Sequence, residues 1–165
     1  MTVFFRKINE FLLKLFFKKA HSANKKWFQY ELNNTEQIQF IEAVRNGKSG
    51  IALIGKISDE TAKKIKILVG ADISRIILES SAIIHAEKKT KHNLKEDDIL
   101  KCAEVINNPK NVKKSSRKNR GSPVLLFEGD IDGSIIFVEG VHIKHGELSL
   151  ITAYRKSEAG QGPTG

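Results

Sequence analysis

Two histidines, His85 and His92, stand seven residues apart in IIHAEKKTKHNL, so a helix running through both would project them from one side. Lys88 and Lys89 lie between them on that side. An imidazole can take or give a proton near neutral pH, and ammonium groups stabilise the negative charge of a phosphorane. Together these are the groups needed to cleave RNA through its own 2′-hydroxyl, a reaction that requires no metal. A facing wall is available in LSLITAYRK, where Thr152 and Tyr154 fall on one face of a strand, Arg155 on the other, and Lys156 back beside the first pair. A hydroxyl, a phenol and cations would then converge on a phosphate. The plainer reading, in which both histidines serve only the fold or the surface, stays open on spacing alone.

The elements that must position these groups are also written in the chain. Thr35 is a candidate N-cap for a helix through Val44 that ends at Asn46-Gly47, and Ser58 with Asp59 and Glu60 opens another that runs to Leu68 and stops at Gly70. Between them ALIGKI is a short extended segment. Ile73 to Leu78 is apolar and β-branched, Ser80 or Ser81 caps the helix that carries AIIHAEKKTKH, and Lys95 to Ile106 forms another before Asn107-Asn108-Pro109. After that proline the texture changes to period-two apolar segments, VLLFE, SIIFVEG and ELSLITAYR, the first two joined through the turn-forming GDIDG. The layout predicts an α+β fold, with N-terminal helices packed on a C-terminal antiparallel sheet. Its parts are an N-terminal helical region at 1–50, a domain at 51–156 and a flexible tail at 157–165.

The net charge of +9 at pH 7 favours a polyanion as partner. The most basic segment, PKNVKKSSRKNRG, places Lys110, Lys113, Lys114, Arg117, Lys118 and Arg120 in one loop without an acid among them. It is either a solvated loop or a clamp for RNA phosphates, and a clamp of this kind is blind to base sequence. One cysteine, Cys102, excludes an internal disulfide and a zinc finger. His142 and His145 differ by three and fall on opposite faces of a strand, against paired metal ligation. Glu128, Asp130, Asp132 and Glu139 flank a hairpin and are read as turn chemistry, and Asp97-Asp98 as favourable charge at a helix start. Trp27, Phe28 and Tyr30 are either core or base-stacking residues. The first twenty residues have the spacing of an amphipathic helix, with Phe11 and Phe16 on its apolar side, suited to a core or subunit contact or to a membrane surface. Their apolar runs are too short to span a bilayer. No P-loop, HExxH or GxSxG motif occurs.

From about Gly55 through Lys156, the succession GKISDETAKKI, IIHAEKKTKHNL, DDILKCAEVINNP, VLLFEG, SIIFVEG and LSLITAYRK resembles the phage-associated nuclease domains of the barnase, EndoU, colicin D and RelE class. The Lys-x-Lys-His arrangement of colicin D is matched by Lys89, Lys91 and His92. Its late hydroxyl-x-aromatic pair is matched by Thr152 and Tyr154, with threonine for serine and tyrosine for tryptophan. The resemblance implies His92 as the principal acid or base and His85 as second. Lys89, Lys91, Thr152 and Tyr154 would complete the catalytic set, and Lys88, Lys113, Lys114, Arg117, Lys118, Arg120, Arg155 and Lys156 would bind RNA.

It further implies an endoribonuclease toxin that acts on transfer RNA or another structured RNA in the bacterial cytoplasm, delivered from outside or phage-encoded. Such a toxin leaves a 2′,3′-cyclic phosphate, needs no cofactor or metal, and is neutralised by an acidic immunity or antitoxin protein. The competing expectations are a nonenzymatic basic nucleic-acid-binding protein and a membrane-active protein working through residues 1–20.

Overall fold

The computed structural model describes residues 31–88, 92–95, 97–143 and 146–156. The expectations placed on residues 1–30, on Lys89 and Lys91, on His145 and on the tail at 157–165 lie outside them. In chain order the elements are α1 (Asn34–Arg45), β1 (Ile51–Lys56), α2 (Asp59–Val69), β2 (Arg75–Glu79) and α3 (Ser80–Lys88). A 3-10 turn (Ile99–Lys101) then leads into α4 (Cys102–Asn107), β3 (Asn111–Asn119), β4 (Ser122–Ile131), β5 (Ser134–Ile143) and β6 (Glu147–Arg155). The fold is α+β.

Local chemistry sets the helix ends. Ser58 caps α2 by accepting from the Thr61 N–H, and Gly70 closes it at φ 71°, where only a residue without a Cβ sits without strain. For α1 the cap is Asn33 rather than Thr35. Its Oδ1 accepts from Glu36 N, and Glu36 Oε2 accepts from Asn33 N, both at 2.9 Å, a reciprocal box in which Thr35, two residues further in, has no part. The helix expected over Lys95 to Ile106 is shorter than its sequence suggests. Asp98 Oδ2 accepts from Lys95 N at 2.7 Å, which folds the first residues into a turn, and α-helix begins only at Cys102.

The sheet has the order β1-β2-β6-β5-β4-β3. The expected C-terminal meander is present as β4 to β6, with β3 added at one edge and β1 and β2 extending the sheet on the far side of β6. The β2–β6 pair is parallel, Arg75 to Glu147 through Ile77 to Ser149, so the sheet is mixed rather than wholly antiparallel. The segment Pro109 to Gly121, expected to be one loop, is mostly the edge strand β3. Its lysines remain exposed, as suits a strand whose outer edge would otherwise invite pairing.

Phe127, Leu125, Ile136, Val138 and Leu148 line one face of the sheet, where Ile65 of α2 and Val105 and Ile106 of α4 join the same core. Approach there is close: a Cβ on Gly129 would sit 2.8 Å from Val105 Cγ1. Cys102 is buried in this layer, and desolvation pushes its thiol up to about 12, so it stays protonated. Arg155 also points to this face and is not available to RNA. Its guanidinium makes a two-point pair with Asp98 at 2.5 and 2.6 Å, with side chains only 4% and 1% exposed. The pair ties the turn before α4 to the end of β6.

Candidate functional site

β2 runs alongside only the first three residues of β6. It then passes into α3 without a loop, Glu79 to Ser80, and α3 packs against β6. Ala82, Ile83 and Ala86 bury one side of α3 and leave His85 exposed on another. His92 lies beyond the end of α3 at Lys88, so the two histidines are not held on one continuous described helix. Their rings nevertheless meet edge to face, centroids 5.9 Å apart.

His92 is the hinge of the cluster. Its Nδ1 lies 3.3 Å from Thr152 Oγ1, and its ring centre lies 5.9 Å from that of Tyr154. Tyr154 stacks on Phe137 of β5 at 5.2 Å, its directly paired cross-strand neighbour. Burial, and secondarily the carboxylate of Glu139, raises the Tyr154 phenol above its ordinary value, with Arg117 opposing. The phenol is therefore a neutral hydrogen-bond donor at physiological pH. Between Glu139 and Gly140 the β5–β6 register shifts, and Ile151 is the extra residue on β6. That bulge lets Ser149, Thr152 and Tyr154 share the open face.

Glu139 pairs in register with Thr152 and forms an ion pair with Arg117, which reaches from β3 over β4. The β3–β4 ladder is irregular between Lys114 and Lys118, and inside that break Arg117 N donates to Ser115 Oγ at 3.1 Å. The Glu139 side chain is 15% exposed and that of Arg117 58%. Further along the same face Arg120 makes a two-point pair with Glu79, Nη1 to Oε1 at 2.7 Å and Nη2 to Oε2 at 2.9 Å, and Ser149 Oγ donates to Glu79 Oε1 at 2.8 Å.

The structure thus gathers His85, His92, Thr152 and Tyr154, and adds Arg117 from the basic segment. Lys88, Lys113, Lys114, Lys118 and Lys156 are exposed, whereas Arg155 is withdrawn to the core. His142 is on β5 opposite Leu148, apart from this group. Glu139, Glu79 and Ser149 were not anticipated as site residues. Glu139 stands within β5 and not beside its turn, and the signal was present: a charged residue two after Phe137, alternating onto the same face as an aromatic. Among the described residues no group of three or more His, Cys, Asp or Glu side chains is placed to hold a metal ion.

This arrangement of imidazoles, hydroxyl, phenol and guanidinium on a six-stranded sheet coincides with a match to a family model, the phage-Barnase-EndoU-ColicinE5/D-RelE like nuclease 3, over residues 53–161. The chain belongs to that family. The matched stretch runs from within β1 past the end of β6, so every residue of the described cluster falls inside it. Family membership makes the chain a nuclease. No curated protein and no solved structure matches the chain at a significant level.

Proposed function

We propose that this nuclease is a metal-independent endoribonuclease, and the observation that carries the reading is the contact of His92 with Thr152 between the rings of His85 and Tyr154. An RNA strand can be cut without an external nucleophile if its 2′-oxygen is made to attack the adjacent phosphorus. One histidine accepts the 2′-hydroxyl proton as the new O–P bond forms. The other donates a proton to the departing 5′-oxygen as the P–O bond breaks, leaving a 2′,3′-cyclic phosphate and a 5′-hydroxyl. His92 is the principal member and His85 its complement. Thr152 fixes the His92 ring through Nδ1, and proton transfer then falls to the other ring nitrogen.

The neutral phenol of Tyr154 donates to a non-bridging oxygen, and Arg117, held nearby by Glu139, supplies positive charge to the phosphorane. Lys89 and Lys91 add further cations. The exposed lysines of β3 give affinity without sequence choice. Structured RNA, transfer RNA above all, is the substrate class, and the biological role is that of a toxin acting in the bacterial cytoplasm. An acidic immunity or antitoxin protein would cover the basic face.

The test is incubation of wild type and His92→Ala with total RNA in excess EDTA, with the chemistry of the fragment ends determined. Wild type cuts and leaves cyclic phosphates, and the variant is slower by about 10²- to 10⁴-fold. Full activity in His92→Ala, or cleavage that EDTA abolishes, would sink this assignment.

A further inference from the structure

Arg120 occupies an expensive position. It is the first of the two residues joining β3 to β4, with φ 51° followed by Gly121 at φ 80°. Tight hairpin turns of this kind prefer Gly, or Asn and Asp, whose short polar side chains hydrogen-bond locally, because other side chains are strained there. A strained residue at a turn tip directs attention to what its side chain does. Here the side chain lies across the open face to Glu79, at the end of β2, over two intervening strands.

The pairing decides what Arg120 can still offer. Both terminal nitrogens are spent on the two oxygens of Glu79, and Ser149 Oγ holds the same carboxylate from below. The guanidinium is therefore neutralised and oriented, and an adjacent carboxylate disfavours a phosphate. What remains is a flat surface, guanidinium and carboxylate in one fork, on a side chain 51% exposed, with Glu79 at 14% beneath. Ser149 lies three residues before Thr152 on β6, about 10 Å along the strand. A strand whose phosphate reached His92 and Thr152 would bring a neighbouring base to this surface.

We infer that Arg120, clamped by Glu79 and Ser149, is a stacking platform for one unpaired base flanking the scissile phosphate, and so a specificity-determining residue. Unpaired bases stack on guanidinium planes as they do on aromatic rings. The inference rests on the RNA reading above. It assigns Arg120 a base and not the phosphate contact that composition alone suggests.

The experiment is a double-mutant cycle between protein and RNA. Wild type and Arg120→Lys, which keeps the charge and a partner for Glu79 but loses the plane, are each given a short single-stranded RNA. The RNA is intact or has one base removed at successive positions around the cut. In wild type, loss of one particular base raises KM about tenfold and moves kcat much less. Arg120→Lys raises KM for intact RNA by a similar factor, and the same abasic RNA then costs nothing more. If the abasic penalty is the same in both proteins, or if Arg120→Lys has the wild-type KM, the platform is overturned. A purely structural role for Arg120 gives that equal penalty, whatever it does to folding. Should wild type cut no RNA, the catalytic reading fails by itself. The same four affinities, read by fluorescence anisotropy on uncut RNA, then decide the platform by the same criterion.

Discussion

Two arginine–carboxylate pairs lie on opposite faces of one sheet and do opposite work. Arg155 and Asp98 meet on the core face with almost no exposure, whereas Arg117 and Glu139 meet on the open face with the guanidinium more than half in solvent. Removing one partner of the first strands a charge away from water, and the desolvation cost has no recourse. Removing one partner of the second lets water take its place. The buried pair is thus an anchor for β6 and α4. The open pair is exchangeable, and a phosphate arriving beside Tyr154 can draw on the same guanidinium.

The contrast can be broken most severely by Asp98→Ala, for which a stability loss of about 3–5 kcal/mol is expected in denaturant unfolding. Arg117→Ala should cost under about 1 kcal/mol by the same assay, with its deficit appearing in RNA cleavage. Equal losses in the two variants would erase the distinction between the faces. A finer effect concerns the exposed lysines of β3: Lys113→Gln with Lys114→Gln should reduce the slope of log affinity against log salt by about 0.7 per charge on single-stranded RNA, with cleavage chemistry intact. An unchanged slope would show that β3 does not follow the backbone of the RNA.

The smallest effect is a pH signature of Tyr154. Its phenol is raised in the folded state, so the stability it brings is fully present below the ordinary phenol pKa near about 10 and is lost as pH rises through the raised value. The stability difference between wild type and Tyr154→Phe should therefore shrink on titration from about pH 9 upward. A difference that holds constant would mean that the ring is not in the surroundings described.

The α2 caps at Ser58 and Gly70 and the apolar alternation of β4, β5 and β6 were legible because each is a local signal with one physical solution. Three features were not. β3 has polar residues on both sides and sits at an edge, so neither burial nor period-two apolar spacing marks it as a strand. Arg155 looked like a surface cation because its partner, Asp98, is 57 residues away in sequence. The parallel pairing of β2 with β6 is likewise long-range. In the candidate site, the grouping of His85, His92, Thr152 and Tyr154 agrees with the strand spacing of the last two and with the resemblance, whereas the helical spacing of the histidines is not what brings them together. Glu139 and Glu79 were hidden because a carboxylate in a strand acquires meaning only from the arginine that another strand brings to it.

Of the six strands, β6 is the one made last, and it lies inside the sheet between β2 and β5. The ladder that seats it joins residues such as Arg75 and Glu147, 72 apart. While the chain is being synthesised, α3 and its histidine can emerge and even dock, but the strand carrying Thr152 and Tyr154 is still missing and the middle of the sheet is open. Loop closure over that distance comes late. The site therefore cannot assemble on a nascent chain shorter than the end of β6, and the nuclease has no complete site until its last strand has been delivered.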